Sequence, residues 1–389
     1  MSILPAKRLN SVKEYYFSKK LREVAQLQKS GKEIINMAIG SPDLAPPKEV
    51  LSAIESALHL PGMHKYQSYQ GLPELRSAIA GFYQTNYGVI LNLDTEVLPL
   101  MGSKEGIMHI SMAFLNSGDQ VLIPNPGYPT YASVTKLLQA DPIYYELCET
   151  SQWQPDFEAL EAMDLSKVKL MWVNYPHMPT GAKAKKSTFE KAIAFAKKHD
   201  ILLINDNPYS FILNSEPLSI LSIDGAKEVA LELNSLSKTF NMAGWRVGML
   251  QGAQKYISEV LKVKSNMDSG MFKGLQIGAI AALQLGKEWY DKMDVIYVER
   301  RLLIWQLADI LGCTYEKEAV SGMFVWAKLP SDLRSAEELV DDLLYNHNIF
   351  ITPGSIFGSA GSRYIRFSLC VNKEAIEKAI AVLKAAKSV

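Results

Sequence analysis

The sequence predicts an α/β protein with a large domain built on a mostly parallel sheet and a smaller α+β domain. Through the middle of the 389-residue chain, short apolar runs alternate with helical patterns, as they do in parallel β–α units. From about residue 271 the pattern is long and helical, and two isolated strand-like runs follow it. We therefore predict that residues 40–290 form the large domain, and that residues 1–39 and 291–389 together form the small one.

The periodicity of apolar residues predicts the individual elements. The run EVLPLMG (96–102) is a predicted strand, and residues 104–118 are a predicted helix that carries Ile107 and Ile110 on one face and ends at Gly118. A helix over about 13–29 is expected to pack with the small domain. The other predicted elements are strands at 119–126, 167–176, 200–208, 229–238, 323–329 and 363–369, a helix at 187–199 and a helical stretch at 271–312.

Charge, cysteine and histidine content argue against several classes of function. Lysine plus arginine and aspartate plus glutamate both number 41, so no net field favours nucleic acid or a membrane surface. Cys148, Cys313 and Cys370 form no CxxC pair, and the six histidines show no HExxH spacing, so no metal site is predicted. No run of about 18 apolar residues occurs. These features predict a cytoplasmic protein without nucleic-acid or membrane partners.

The segment SLSKTFNMAGWRVG (235–248) places a lysine directly after an apolar strand. Active sites of parallel sheets lie at such strand ends, and a semi-buried lysine loses its charge more readily and becomes a nucleophile. Ser235, Ser237 and Arg246 would grip a phosphate beside Lys238. An isolated SxSK pattern is more often part of a solvated loop with a surface lysine. Three other segments favour the chemical interpretation.

Each of these segments also has a plain structural explanation. Asp206 and Tyr209, in DNPY, follow the apolar strand ILLIN, and an emerging carboxylate needs a partner unless it is merely a turn residue. Ser103 and Lys104, in MGSKEG, start a helix whose free N–H groups suit an anion. Tyr128, in PNPGYPTY, would present a flat ring or simply pack. A lysine amine, a strand-end acid, a phosphate cradle and a stacking ring together predict a pyridoxal 5'-phosphate site, and no GxGxxG or Walker loop indicates a nucleotide.

The lysine segment closely resembles the signature of the fold-type I, class I/II pyridoxal-phosphate aminotransferases, and the resemblance covers nearly the whole chain. It implies the aspartate aminotransferase fold and transfer of an amino group from an L-amino acid to a 2-oxo acid in two half-reactions. By this resemblance Lys238 binds the cofactor and shuttles the proton, and Asp206 pairs with the pyridine nitrogen. Tyr209 donates to the ring hydroxyl, and Tyr128 stacks on the ring. The implied phosphate ligands are Ser103, Lys104, Ser235, Ser237 and Arg246.

The resemblance also implies the substrate contacts and a shared site. Arg366, in YIRFSL, corresponds to the arginine that grips the substrate α-carboxylate, and Gly40, in MAIGSPD, to a glycine beside it. Tyr66, in KYQSYQGLPELR, corresponds to a tyrosine that reaches the phosphate of a partner subunit, which implies a homodimer. The strings GSKEG, SNMDSG and YYF resemble the LL-diaminopimelate aminotransferases, and on that analogy Tyr15 and Asn266 contact substrate.

One position departs from the family pattern. The family loop usually ends Asn-Pro-Thr-Gly, and its asparagine donates to the ring hydroxyl and often helps with the substrate carboxylate. In NYPHMPTG (174–181) that position is Met178, whose thioether cannot donate a hydrogen bond. Either Met178 faces the cofactor and Tyr209 becomes its main donor, or Met178 only fills a gap.

Several functions and substrates remain open from the sequence. A carbon–sulfur β-lyase would use the same lysine and aspartate, and a non-catalytic pyridoxal-phosphate-binding protein is a further alternative. Fold alone does not name a substrate. Diaminopimelate-type, aspartate, alanine and aromatic amino donors are expected in that order of preference, with amino-acid biosynthesis as the setting.

Overall fold

The computed structural model describes residues 3–12, 14, 16–332 and 335–387 of the chain. The strands in this part of the chain are β1 (Ile35–Asn36), β2 (Val97–Leu100), β3 (Gln120–Asn125), β4 (Asp141–Glu146), β5 (Val168–Val173), β6 (Leu202–Asp206), β7 (Ala230–Ser235), β8 (Gly248–Gly252), β9 (Thr314–Tyr315), β10 (Phe324–Lys328), β11 (Ile349–Phe350), β12 (Thr352–Pro353) and β13 (Tyr364–Ser368). The α-helices are α1 (Tyr16–Lys29), α2 (Lys48–Ala57), α3 (Pro73–Tyr87), α4 (Ser103–Phe114), α5 (Pro129–Leu137), α6 (Phe157–Glu161), α7 (Lys186–His199), α8 (Leu236–Thr239), α9 (Gln254–Ser265), α10 (Lys273–Leu283), α11 (Lys287–Ile310), α12 (Ala336–His347) and α13 (Lys373–Lys387).

The central sheet has the strand order β2-β8-β7-β6-β5-β3-β4 among the described residues. Strands β4, β3, β5, β6 and β7 pair in parallel, and β8 runs antiparallel to both β7 and β2. The predicted α/β class with a mostly parallel sheet is confirmed. Because parallel strands share one direction, their carboxyl ends meet at one edge of the sheet.

Helices cover both faces of this sheet. Along β5, Leu170 and Trp172 pack with Ile107 of α4, while Met171 belongs to the opposite layer with Phe189 of α7. This alternation follows from the pleat of a strand, whose successive side chains point to opposite faces. Burial on both faces explains why these strands are continuous apolar runs in the sequence.

A second group of elements combines the two ends of the chain. Strands β12, β13, β10 and β9 form an antiparallel sheet in that order, and β1 pairs in parallel with β11. Phe17 and Val24 of α1 pack with Leu344 of α12 and with Phe350, so the N-terminal helix packs on the C-terminal third as expected. The exact domain boundaries at residues 39 and 291 stay a prediction.

One predicted helix end is wrong, and one predicted helical stretch divides into two helices. Helix α4 ends at Phe114 rather than Gly118, because Leu115 is extended and the Asp119 carboxylate accepts a bond from the Asn116 amide at 2.6 Å in a polar turn. The stretch 271–312 is two helices, α10 and α11, separated at residues 284–286. Gly286 is extended immediately before α11, where glycine's poor helix propensity favours a break. Within the described residues, no helix is both long and apolar enough to span a bilayer.

Candidate active site

Two of the cavities among the described residues differ in the chemistry of their walls. The larger, about 1290 Å³, lies against α3 and the start of α11 and contains none of the predicted site residues. The second, about 610 Å³, lies at the carboxyl edge of the central sheet. It brings together most of the predicted residues, namely Gly40, Ser103, Lys104, Tyr128, Asp206, Tyr209, Ser235, Ser237, Lys238, Arg246 and Arg366. We therefore locate the candidate site in the smaller cavity.

Lys238 lies in the short helix α8, one turn beyond the end of β7. Its Nζ donates a hydrogen bond to the backbone carbonyl of Gly40. Burial lowers the pKa of Lys238, and the Arg366 and Arg246 guanidinium groups nearby act in the same direction. The amine is thereby closer to its neutral, nucleophilic form than a surface lysine is. Gly40 must lack a side chain, since a Cβ there would lie 2.3 Å from Cζ of Phe324.

Asp206 is the last residue of β6 and is 5% exposed. Its Oδ2 accepts a hydrogen bond of 2.8 Å from the hydroxyl of Tyr131, but its Oδ1 has no partner among the described residues. Burial raises the pKa of Asp206 to about 7, an effect that the Tyr131 bond partly opposes. A buried carboxylate oxygen without a hydrogen-bond partner is destabilising, and a cationic donor from a ligand would satisfy it.

Tyr131 was not predicted as a site residue, although it lies three residues after Tyr128. Its ring stacks on Trp172 at 4.8 Å between centroids, and this fixes the hydroxyl toward Asp206. Tyr128 meets Tyr131 edge to face at 5.6 Å and lines the cavity. Only the tertiary pairing with Asp206 distinguishes Tyr131 from an ordinary packing tyrosine.

The strand-to-helix turn at 101–105 forms a cradle for an anion. Gly102 has φ 93°, and a Cβ there would lie 2.1 Å from Nη2 of Arg246. The carboxylate of Glu105 accepts a bond from the Met101 amide at 2.8 Å and so holds the turn at the start of α4. Burial lowers the pKa of Lys104, and the charge of Arg246 lowers it further. Two cations at a helix N-terminus make a phosphate-binding arrangement.

Arg366 lies in β13 and is 4% exposed. Its Nη2 donates to the carbonyl of Ala38 at 2.7 Å, and its guanidinium lies 4.0 Å from the ring centroid of Phe324 and 4.7 Å from that of Phe357. The two rings hold the planar group by cation–π contact in an orientation suited to a carboxylate. Phe324 and Phe357 were not identified from the sequence, since an isolated phenylalanine gives no functional signal.

Met178 lines the same cavity and is 5% exposed. Its Sδ lies 3.3 Å from Nη1 of Arg366, and its backbone amide donates to Oδ1 of Asn174 at 2.8 Å. Asn174 in turn donates from Nδ2 to the backbone carbonyl of Asp206. Both the nitrogen and the oxygen of the Asn174 side-chain amide therefore bond to backbone groups. These contacts do not support Asn174 as a substitute for the asparagine that the family usually has at position 178.

Two predicted residues, Tyr66 and Asn266, do not line the cavity. Tyr66 is 90% exposed. Asn266 is exposed just beyond α9, where its side chain donates to the carbonyl of Lys262 at 2.8 Å. The loops around these two residues adjoin, because Nζ of Lys264 donates to the carbonyl of Tyr69 at 2.9 Å. Tyr15 lies outside the described residues.

Comparison with known proteins agrees with this geometry. The family model for class I and II aminotransferases matches residues 32–383, and the chain belongs to that family. It is 41% identical over 385 residues to a Dehalococcoides mccartyi protein named LL-diaminopimelate aminotransferase, covering 98% of this chain and 99% of that one. It is 39% identical over 376 residues to transaminase BacF of Bacillus subtilis, covering 96% and 94% of the two chains.

Solved structures show the same architecture. The apo structure of BacF superposes with a TM-score of 0.93 at 38% identity, covering 99% of this chain and 98% of that one. An aspartate aminotransferase variant of Thermus thermophilus superposes with a TM-score of 0.91, covering 99% and 100%, and at 24% identity it bears on the fold alone. The predicted aspartate aminotransferase fold is confirmed. The protein is an aminotransferase, which transfers an amino group from an amino acid to a 2-oxo acid.

Proposed function

We propose that the cofactor is pyridoxal 5'-phosphate and that it occupies the 610 Å³ cavity. The observation that carries this proposal is Asp206, a buried carboxylate whose Oδ1 lacks a partner among the described residues. A protonated ring nitrogen would satisfy that oxygen. The phosphate would lie against Ser103, Lys104 and Arg246, with Ser235 and Ser237 beside it, and Lys238 would carry the covalent link. When bound, the cofactor supplies an electron sink for charge that develops at the substrate Cα.

The protein's own side chains would bind the substrate and move its proton. Arg366 binds the α-carboxylate through its two terminal nitrogens and so places Cα near Nζ of Lys238. Lys238, which burial favours as the neutral amine, takes the Cα proton as base and returns it as acid. Tyr209, which is buried and has its pKa raised by that burial, stays protonated and donates to the ring hydroxyl. Tyr128 covers the ring face.

We propose LL-diaminopimelate as the first amino donor to test. Several relatives bear that substrate in their name at 36–42% identity over nearly full length. This assignment places the enzyme in amino-acid biosynthesis. The distal charged half of such a donor would need partners beyond the walls of this cavity.

A second candidate is a donor with an apolar side chain. Phe17, Leu21, Ile39, Phe324 and Phe357 line the cavity around Arg366. Within the described lining, the charged side chains are Lys104, Asp206, Lys238, Arg246 and Arg366, all of which already have proposed roles. The remaining walls would therefore favour an aromatic or aliphatic side chain.

We also propose a homodimer with shared sites, located in the cytoplasm. Tyr66, Tyr69, Met267 and Phe272 are exposed large side chains on the adjoining loops, and a partner subunit would cover them. Tyr66 and Asn266 would then reach the partner's cavity. The three cysteines are unpaired thiols and Cys148 is exposed, which suits a reducing compartment.

The direct test is an absorption titration of the purified protein loaded with pyridoxal phosphate. We expect LL-diaminopimelate to bleach the cofactor band and a 2-oxo acid to restore it. If phenylalanine bleaches the band and LL-diaminopimelate does not, the apolar candidate replaces the first. Pyruvate and ammonia released without any acceptor would indicate a β-lyase. A band that answers to no amino acid would indicate a non-catalytic binding protein.

A further inference from the structure

The backbone pairing of β5 with β6 ends at Val173 and Asn205, one residue before Asp206. Two side-chain amides continue the connection beyond that point. Oδ1 of Asn205 accepts from the backbone amide of Tyr175 at 3.1 Å, and Asn174 donates to the carbonyl of Asp206. These bonds clamp the segment that carries Asp206 to the loop that leads to Met178.

Asn205 is held in turn by a buried carboxylate. Its Nδ2 donates to Oε2 of Glu232 at 3.0 Å, and the two residues are direct cross-strand partners on β6 and β7. Both are fully buried. Successive side chains on a strand point to opposite faces, so Asn205 acts from the face opposite that on which Asp206 meets Tyr131.

Glu232 also accepts hydrogen bonds from residues outside β6. The hydroxyl of Tyr83 donates to Oε1 at 3.0 Å, and the amide of Ile220 donates to Oε2 at 3.0 Å. Burial raises the pKa of Glu232, while the bonds from Asn205 and Ile220 lower it. An apolar side chain would fill this place in a buried strand without the cost of desolvating a carboxylate. The acid therefore needs an explanation beyond packing.

We propose that Glu232 and Asn205 are positioning residues that fix Asp206 for the cofactor; the inference rests on the proposed function. Glu232 orients the Asn205 amide so that its oxygen faces Tyr175, and Asn205 then fixes the end of β6 against the end of β5. Neither residue touches the cofactor. Asp206 can meet the ring nitrogen with good geometry only while the strand end that carries it is held in place.

Two variants separate positioning from general stability. Asn205→Ala removes the link between Glu232 and the strand ends. Tyr83→Phe removes a hydrogen bond of equal length from the same carboxylate but leaves Asn205 bonded. Both should lower the melting temperature of the cofactor-free protein. Only Asn205→Ala should raise the dissociation constant for pyridoxal phosphate, by about tenfold, and shift the pH at which the cofactor band changes.

The result that overturns the proposal is an Asn205→Ala protein with wild-type cofactor affinity and an unshifted band. An equal loss of affinity in Tyr83→Phe would also overturn it, because the effect would then be a general loosening of the core. If Asn205→Ala does not fold, Asn205→Ser serves instead, since its hydroxyl is too short to bridge Glu232 and Tyr175, and the same outcomes apply. A wild-type protein that forms no band refutes the proposed function itself and is recognised before any variant is made.

Discussion

The sulfur of Met178 lies 3.3 Å from Nη1 of Arg366, the guanidinium that we assign to the substrate carboxylate. A thioether accepts a hydrogen bond weakly and donates none. The family usually has a hydrogen-bond donor at position 178. In this chain Met178 contacts Arg366 there but donates no hydrogen bond. Whether it also faces the cofactor ring stays a prediction, which substitution can test.

Restoring an amide at this position should strengthen substrate binding. Met178→Asn supplies an N–H beside Arg366, and we expect KM for the amino donor to fall by about tenfold, which is the lower end of the about 1.5–3 kcal/mol that a hydrogen bond to a charged group contributes. We also expect the pH profile of the cofactor band to shift, because a donor stabilises the anionic ring oxygen. Met178→Leu, of similar size, is the control and should change neither quantity. An Asn variant that behaves like the Leu variant would refute the assignment of this position to the site.

The buried carboxylate of Asp206 should make the cofactor-free protein less stable as pH rises. Its pKa is about 7 in the folded chain, against about 3.9 for an unfolded aspartate, so the folded state binds more protons between these values. The contribution of this group to the free energy of unfolding is therefore fully present below about pH 4 and is lost as pH rises toward 7. We expect Asp206→Asn to be more stable than wild type at pH 8 by roughly 2–4 kcal/mol in urea denaturation, and to have little advantage at pH 4. An advantage that does not change with pH would contradict the raised pKa.

Tyr131 should affect the cofactor through Asp206. Tyr131→Phe removes the 2.8 Å hydrogen bond while keeping the stack on Trp172. The lost bond lowered the pKa of Asp206, so the acid should protonate more readily and hold the ring nitrogen less well. We expect cofactor affinity to fall by about threefold to tenfold, measured by equilibrium dialysis. Affinity equal to that of wild type would show that Tyr131 only packs.

Shared sites predict that two inactive variants complement each other. Lys238→Ala removes the proposed catalytic amine, and Tyr66→Ala removes a residue that we expect to serve the partner's site. Unfolding and refolding an equal mixture of the two should give hybrid dimers with one intact site, and so about a quarter of wild-type activity. Each variant refolded alone is the control. No recovery in the mixture, with hybrids confirmed by mass spectrometry, would contradict the shared site.

The sequence predicted those site residues that lie in recognisable segments at strand ends. Asp206 ends a strand, Lys238 and Ser103 each lie three residues beyond the end of one, and the sheet topology brings these strand ends to one edge. That reasoning needs only the order of elements along the chain. Arg366 was predicted in a different way, from the resemblance of the segment YIRFSL to the family pattern.

Other residues became visible only through tertiary contacts. Tyr131, Phe324 and Phe357 act by contacting Asp206 or Arg366, and no local pattern distinguishes them from core residues. Glu232 lies between Leu231 and Leu233 in β7, and its partners on α3 and β6 cannot be predicted from the sequence. The helical pattern over residues 271–312 did not indicate the break between α10 and α11.

The central claim is that Lys238 carries pyridoxal phosphate opposite Asp206. The most direct measurement is to load the protein with the cofactor, reduce it with borohydride to make the link permanent, and map the modified peptide by mass spectrometry. We predict one phosphopyridoxyl group per chain, on Lys238, and its loss in Lys238→Ala. A modification on Lys104, or scattered over surface lysines with none on Lys238, would contradict the account.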